Sequence, residues 1–161
     1  MSKSIFLLSS LLLIGLISFA QASSHDTVKT KNLTVTYGRP TMKGRTIFGG
    51  LVPYDQVWRV GADKATVVTF EKDATFGGKP IKAGSYALFA IPTASKWTVI
   101  LNSKADQWGL AHDANKAMDV LNVDVPVVAL SSPVDKLTYT LSGKGIKIEW
   151  EKTSVMIPVS F

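Results

Sequence analysis

From Leu33 onward, apolar and polar residues alternate in short runs broken by turn formers, the period of half-buried antiparallel strands. Within Lys96–Asn102, the residues Trp97, Val99 and Leu101 share one face; across 146–151, Ile146, Ile148 and Trp150 face one way and Lys147, Glu149 and Glu151 the other. The same pattern predicts strands over 33–37, 65–71, 74–76, 86–91, 120–125, 137–141 and 155–161, each with one face packed and one in water. Gly77-Gly78-Lys79 and Ser142-Gly143-Lys144-Gly145 read as hairpin turns, and Pro158 marks an edge or a bulge. So many strands beside so little helical pattern predict an all-β fold, an antiparallel two-layer β-sandwich of jelly-roll or immunoglobulin-like type, with a short helix and one long ordered loop.

Two stretches break the alternation. Over 103–118, Ser103 and Asp106 have the spacing of a capping box and Gly109 a stop signal, so a short helix is expected at 104–108 and a second turn from Asp113. Over 37–66, Gly38, Pro40, Gly44, Gly49, Gly50 and Pro53 exclude a regular element, while Arg39, Lys43, Arg45, Arg59 and Lys64 crowd cations among Phe48, Tyr54 and Trp58. An irregular cationic loop on a sheet scaffold is a common place for a binding site.

The amino terminus changes the compartment. Lys3, an apolar run over 5–20 and the triplet Ala20-Gln21-Ala22 have the layout of a cleavable secretory signal, so the expected division is a signal peptide at 1–22 and a single β-sandwich domain at 23–161. His25 then falls in a mobile end. The chain holds 0 cysteines, which excludes disulfides, thiolate chemistry and cysteine zinc sites in an exported protein. The expected product is a periplasmic or extracellular protein that is not integral to the membrane after cleavage. The full chain's net charge of +6 is scattered, with no basic stripe for nucleic acid; it suits a solvated surface or an anionic envelope component.

Candidate catalytic groups are sparse. A triad would have to be built on His112, whose neighbour Asp113 is a weak orienting partner, and no serine sits in a nucleophile elbow. Glu71, Glu149 and Glu151 occupy outward strand positions and read as a solvated face, not as a facing acid pair. No metal or cofactor is expected, since Asp113-Ala114-Asn115 lacks the rest of a calcium loop. Trp97 and Trp150 belong to the core, whereas Trp58 and Trp108 stand at element edges where an indole can stack on a ligand.

Arg39, Arg45 and Arg59, brought together, can grip a carboxylate, phosphate or sulfate in bidentate fashion. The competing reading has Arg39 and Arg59 pair with Asp55 or Asp63 and hydrogen-bond loop carbonyls that lack ladder partners. Lys43, Tyr54, Trp58, Asp63 and Trp108 complete the candidate ligand-binding set.

The succession Tyr37-Gly38-Arg39-Pro40, Lys43-Gly44-Arg45, Ile47-Phe48-Gly49, Leu51-Val52-Pro53-Tyr54, Val57-Trp58-Arg59, Lys82-Ala83-Gly84-Ser85-Tyr86 and Gln107-Trp108-Gly109 resembles an exported, β-rich bacterial family known as domain of unknown function 2911. The resemblance spans 35–159 and implies no established reaction. This chain departs from the family where Asp63-Lys64 replaces a common Asn-Glu, and where the usual aromatic near Ala111-His112 and arginine near Asn122 are missing. The functional expectation is a non-catalytic exported module that binds a small anionic or carbohydrate ligand, or a partner protein. The alternatives are a hydrolase of envelope or extracellular polymers, with acid and base drawn from His112, Asp113, Asp63 and Asp55, and a structural envelope protein.

Overall fold

Strand β2 (Leu33–Arg39) buries Leu33, Val35 and Tyr37 and turns Thr34 and Thr36 outward, one face to the core and one to water. A computed structural model describes Ser24 to Phe161; the expected signal segment lies outside the described residues. The remaining strands are β1 (Ser24–Lys29), β3 (Thr66–Phe70), β4 (Ala74–Phe76), β5 (Lys79–Ile81), β6 (Gly84–Pro92), β7 (Lys96–Asn102), β8 (Asp119–Ser142) and β9 (Gly145–Ser160). They are antiparallel, in the order β1-β2-β3-β6-β7-β8-β9-β4-β5. The first part of β8 pairs with β7 and its later part with β9, so this long strand passes from one layer of the sandwich to the other.

Between the layers lie Trp97, Trp150, Phe70 and Phe76, with Tyr37 of β2 against Tyr139 of β8 at 4.3 Å between ring centroids. Ile146, Ile148 and Trp150 all face this core, as their alternation predicts. Two expected hairpins are present, at Gly77-Gly78 with both φ positive, and between Ser142 and Gly145. Pro158 lies where β9 has run past its pairing with β8, so only its carbonyl is used, accepting from Gly77 N at 2.8 Å.

Several expectations need correction. His25 is not in a mobile end: it sits in β1 opposite Gly38, because β1 adds to the edge of β2 through main-chain pairing that needs no apolar side chains. The strands expected at 120–125 and 137–141 are one strand, as are those at 146–151 and 155–161. Register shifts at Ala129/Val134 and Val134/Thr138 and the positive φ of 53° at Glu151 let the backbone bend without ending.

β6 and β7 are buried on both faces, since the excursion after β7 covers Ala87, Phe89 and Ile100. The helix is not at 104–108. Gln107 Nε2 donates instead to Asn102 Oδ1 and Lys104 O, and Ser103 Oγ to Met118 O, which leaves no capping box. The helical turn α1 falls at His112–Asn115, followed by a 3₁₀ turn at Lys116–Met118.

Tyr139 gives the fold a pH dependence. Its buried hydroxyl donates to Val60 O at 2.7 Å, and burial pushes its pKa well above the ordinary value near 10; burial raises that of Tyr37 as well. A pKa raised in the folded state contributes stability that is fully present below the unfolded value and is lost as pH rises through the folded one. Unfolding free energy is therefore expected to fall above about pH 10, and Tyr139→Phe should flatten that decline while costing about 1 kcal/mol at neutral pH for the lost hydrogen bond. Urea titrations between pH 7 and 11 check both.

Candidate functional site

The long loop runs from Pro40 to Ala65 along a defined path. At its start Met42 N donates to Asp135 O and Leu137 N to Pro40 O, which stitches the loop to β8. Phe48 N then donates to Glu151 Oε2 at 3.2 Å, so Glu151 is no solvated-face residue: its positive φ aims the carboxylate at an unladdered loop amide. Further on, Trp58 and Ala90 exchange two backbone hydrogen bonds, and the loop takes the place beside β6 that β3 leaves after Leu88.

This placement decides the fate of the aromatic residues. Trp58 is not an exposed stacking platform: only 8% exposed, it lies 6.0 Å from Trp150 in a stacked arrangement, and 5.5 Å from Trp97 and 5.7 Å from Phe48 edge-on. The loop folds back over the open end of the sandwich and takes the indole into the core. Trp108 is 55% exposed, on a turn that pairs with the loop through a Lys64–Trp108 bridge and a Gly109 N to Asp63 O bond. Tyr54 is also exposed, its ring lying over Gly49.

The arginines separate. Arg39 pairs with Asp26 at 3.3 Å, not with Asp55 or Asp63, and donates to Leu137 O and Thr138 Oγ1. Arg45 ties loop carbonyls, donating to Met42 O at 2.9 Å and Thr41 O at 2.8 Å. Arg59 makes no ion pair among the described residues, and its Nε is buried without a partner. Asp63 Oδ2 is also buried and unpartnered, yet the two do not come within 4.0 Å. Asp63 is held at φ 63°, and its backbone carbonyl is engaged by Gly109 N. Lys64, the other half of that departure from the family pattern, pairs with Asp106 at 2.9 Å.

Of the arginines, Arg45 and Arg59 converge. They line one cleft of about 250 Å³ with Pro40, Leu51, Trp58 and Trp150; Arg39 is not among its walls. Lys43 is exposed in the Lys43-Gly44 turn, where both residues have positive φ. A second groove of about 190 Å³ runs off past Val57 and Leu110 and shares Arg59. Two guanidinium groups over an indole wall can hold a planar anion by paired hydrogen bonds and charge, at a place where part of one guanidinium is already removed from water.

His112 belongs to a different construction. It is 4% exposed and its Nε2 lies 3.1 Å from Asp119 Oδ2, while Asp113 points into solvent with its Oδ1 3.9 Å from the other ring nitrogen. The partner is thus Asp119 and not Asp113. Asn102 Nδ2 also donates to Asp119 Oδ1, and Asn115 Nδ2 to Gln107 Oε1, which joins the histidine to a buried polar network beneath the Trp108 turn. His112 lines neither the arginine cleft nor the groove beside it. Asn102, Gln107, Asn115, Asp119 and Glu151 were invisible as a set in the sequence, because each acts on residues that the fold alone brings near.

Fold and cleft together define a β-sandwich that carries an arginine-walled depression on a long loop. The chain belongs to the family described as "Protein of unknown function (DUF2911)", whose model matches residues 20–159. No curated protein and no solved structure matches it.

Proposed function

We propose that the protein is an exported, non-catalytic binding module that holds a small anion between Arg45 and Arg59. The observation that carries this reading is Arg59: a cation at the wall of a cleft, with its Nε buried and unpartnered. Leaving a buried donor unsatisfied costs about 1–3 kcal/mol; the Nε is closed off beside Gly109, so an incoming carboxylate or phosphate oxygen relieves that cost only as the guanidinium turns toward the cleft. The nearby Arg45 adds charge while its own Nε and one terminal nitrogen hold the loop rigid, so the site is preorganised. The hydrolase alternative lacks this support: His112 is buried against Phe89 and Asp119, without an accessible carboxylate opposite it in the clefts described.

An anion that binds only the folded state should raise unfolding free energy by about 2.7 kcal/mol at a hundred times its Kd. Denaturant titrations with acetate and with inorganic phosphate, on the wild type and on Arg59→Gln, test this. The variant is expected to stay within about 1 kcal/mol of wild type without ligand and to show no gain with it. A ligand-independent loss of about 3–5 kcal/mol would instead make Arg59 part of a buried structural pair.

A further inference from the structure

Building on the anion reading, we infer that the ligand is an amphipathic carboxylate, with its headgroup at Arg45 and Arg59 and its apolar chain laid along the adjoining groove. The cleft and the groove share Leu51, Val52, Trp58 and Arg59 in their walls, so they lie side by side as two arms that adjoin at these residues. One arm contains Arg45. The other is walled by Pro53, Val57 and Leu110 together with the neutral polar Gln56, and apart from Arg59 no charged residue lines it.

Leu51, Val57 and Leu110 are exposed, Leu110 to 76%. Single exposed apolar residues are ordinary on a protein surface, but these converge on a groove that ends in a guanidinium group. A compact inorganic anion would use only the arm with Arg45, and a neutral hydrocarbon only the arm without it. A carboxylate bearing a short chain uses both. With a water occupying about 30 Å³ of liquid, the apolar arm holds on the order of six water-sized groups, which suits a chain of about six carbons.

Gly109 fixes Arg59 at the junction. A Cβ on Gly109 would overlap Arg59 Cδ and lie 2.6 Å from the backbone oxygen of Asp63 and 2.9 Å from Arg59 Nε, so the arginine stem and the loop backbone occupy space that only glycine leaves. Leu110 follows directly, on the turn closed by Ala111 N donating to Trp108 O at 2.9 Å. The exposed turn thus supports the cation with one residue and extends the apolar wall with the next.

Isothermal titration of the purified protein with acetate, hexanoate, 1-hexanol and inorganic phosphate tests the inference. Each buried methylene is worth about fourfold in affinity, so hexanoate is expected to bind at least tenfold more tightly than acetate or phosphate even with partial burial, and 1-hexanol least tightly. Leu110→Ser should bring hexanoate down to the acetate level and leave acetate unchanged, since so exposed a side chain contributes little to folding. Gly109→Ala should weaken both carboxylates by displacing Arg59. Equal affinities for acetate, phosphate and hexanoate would overturn the amphipathic ligand while leaving the anion reading intact. Binding of 1-hexanol as tight as that of hexanoate would overturn the headgroup assignment, and no binding by any of the four probes would overturn both readings.

Discussion

Trp58→Ala is expected to lower unfolding free energy by about 3–5 kcal/mol, the range for a large buried aromatic side chain cut back to a methyl group. Its indole is almost wholly buried and touches the rings of Phe48, Trp97 and Trp150. It is also the point where the loop joins β6 through two backbone bonds, at 2.8 and 2.9 Å. Removing the ring opens a void between the layers and loosens the walls of both arms of the depression. Trp108→Ala is the control: half-exposed and outside the core cluster, it should cost no more than about 1 kcal/mol. Urea unfolding followed by far-ultraviolet circular dichroism measures both, and a loss below about 1 kcal/mol for Trp58→Ala would contradict its place in the core.

Gly38→Ala should be comparably severe through a different cause. A Cβ at Gly38 would overlap the carbonyl oxygen of Ala62 and lie 2.7 Å from its carbon and 2.9 Å from its nitrogen. Every atom in the way is backbone, so no rotamer change relieves the clash, and β2 must part from the loop segment that carries Arg59, Val60 and Gly61. The expected loss is about 3–5 kcal/mol, in the range that marks a specific steric fault. Gly143→Ala, where a Cβ meets nothing within 4 Å, should stay within about 0.5 kcal/mol of wild type. The same denaturant titration separates the pair, and similar small effects at both positions would refute the close approach of β2 to Ala62.

The parts of the fold readable in the sequence were those set by local periodicity. Trp97, Val99 and Leu101, like Ile146, Ile148 and Trp150, alternate so strictly that only one face can be buried, and all of them are in the core. Where non-local pairing decides, the pattern failed. β1 has no apolar stripe and exists because the edge of β2 accepts it. No strand was expected between 125 and 137, yet β8 changes partner after Pro126 and continues through Ser131, Ser132 and Pro133, where its pairing with β9 shifts register. The helix expected from Ser103 and Asp106 gave way to the Asn102–Gln107 contact, which local propensity does not register.

The candidate site shows the same division. The arginine-rich loop stood out by composition, and Arg45 and Arg59 do share a cleft. Which tryptophan was buried could not be read, because Trp58 and Trp108 have similar polar neighbours in sequence and differ only in how the loop folds back. Arg39 was separated from the other arginines by Asp26, a residue of the strand that the alternation did not reveal. His112 met its carboxylate seven positions further on, at Asp119, where the 3₁₀ turn returns the chain to the sheet.

Nitrogen-15 spectra of the arginine side chains during titration with hexanoate show whether the carboxylate sits at Arg59. A saturable shift of the Arg59 Nε–Hε resonance is expected, with a smaller one for Arg45 and none for Arg39, which Asp26 and Leu137 already hold. An Arg59 resonance that stays fixed while hexanoate binds, or a response confined to Arg39, would contradict that placement.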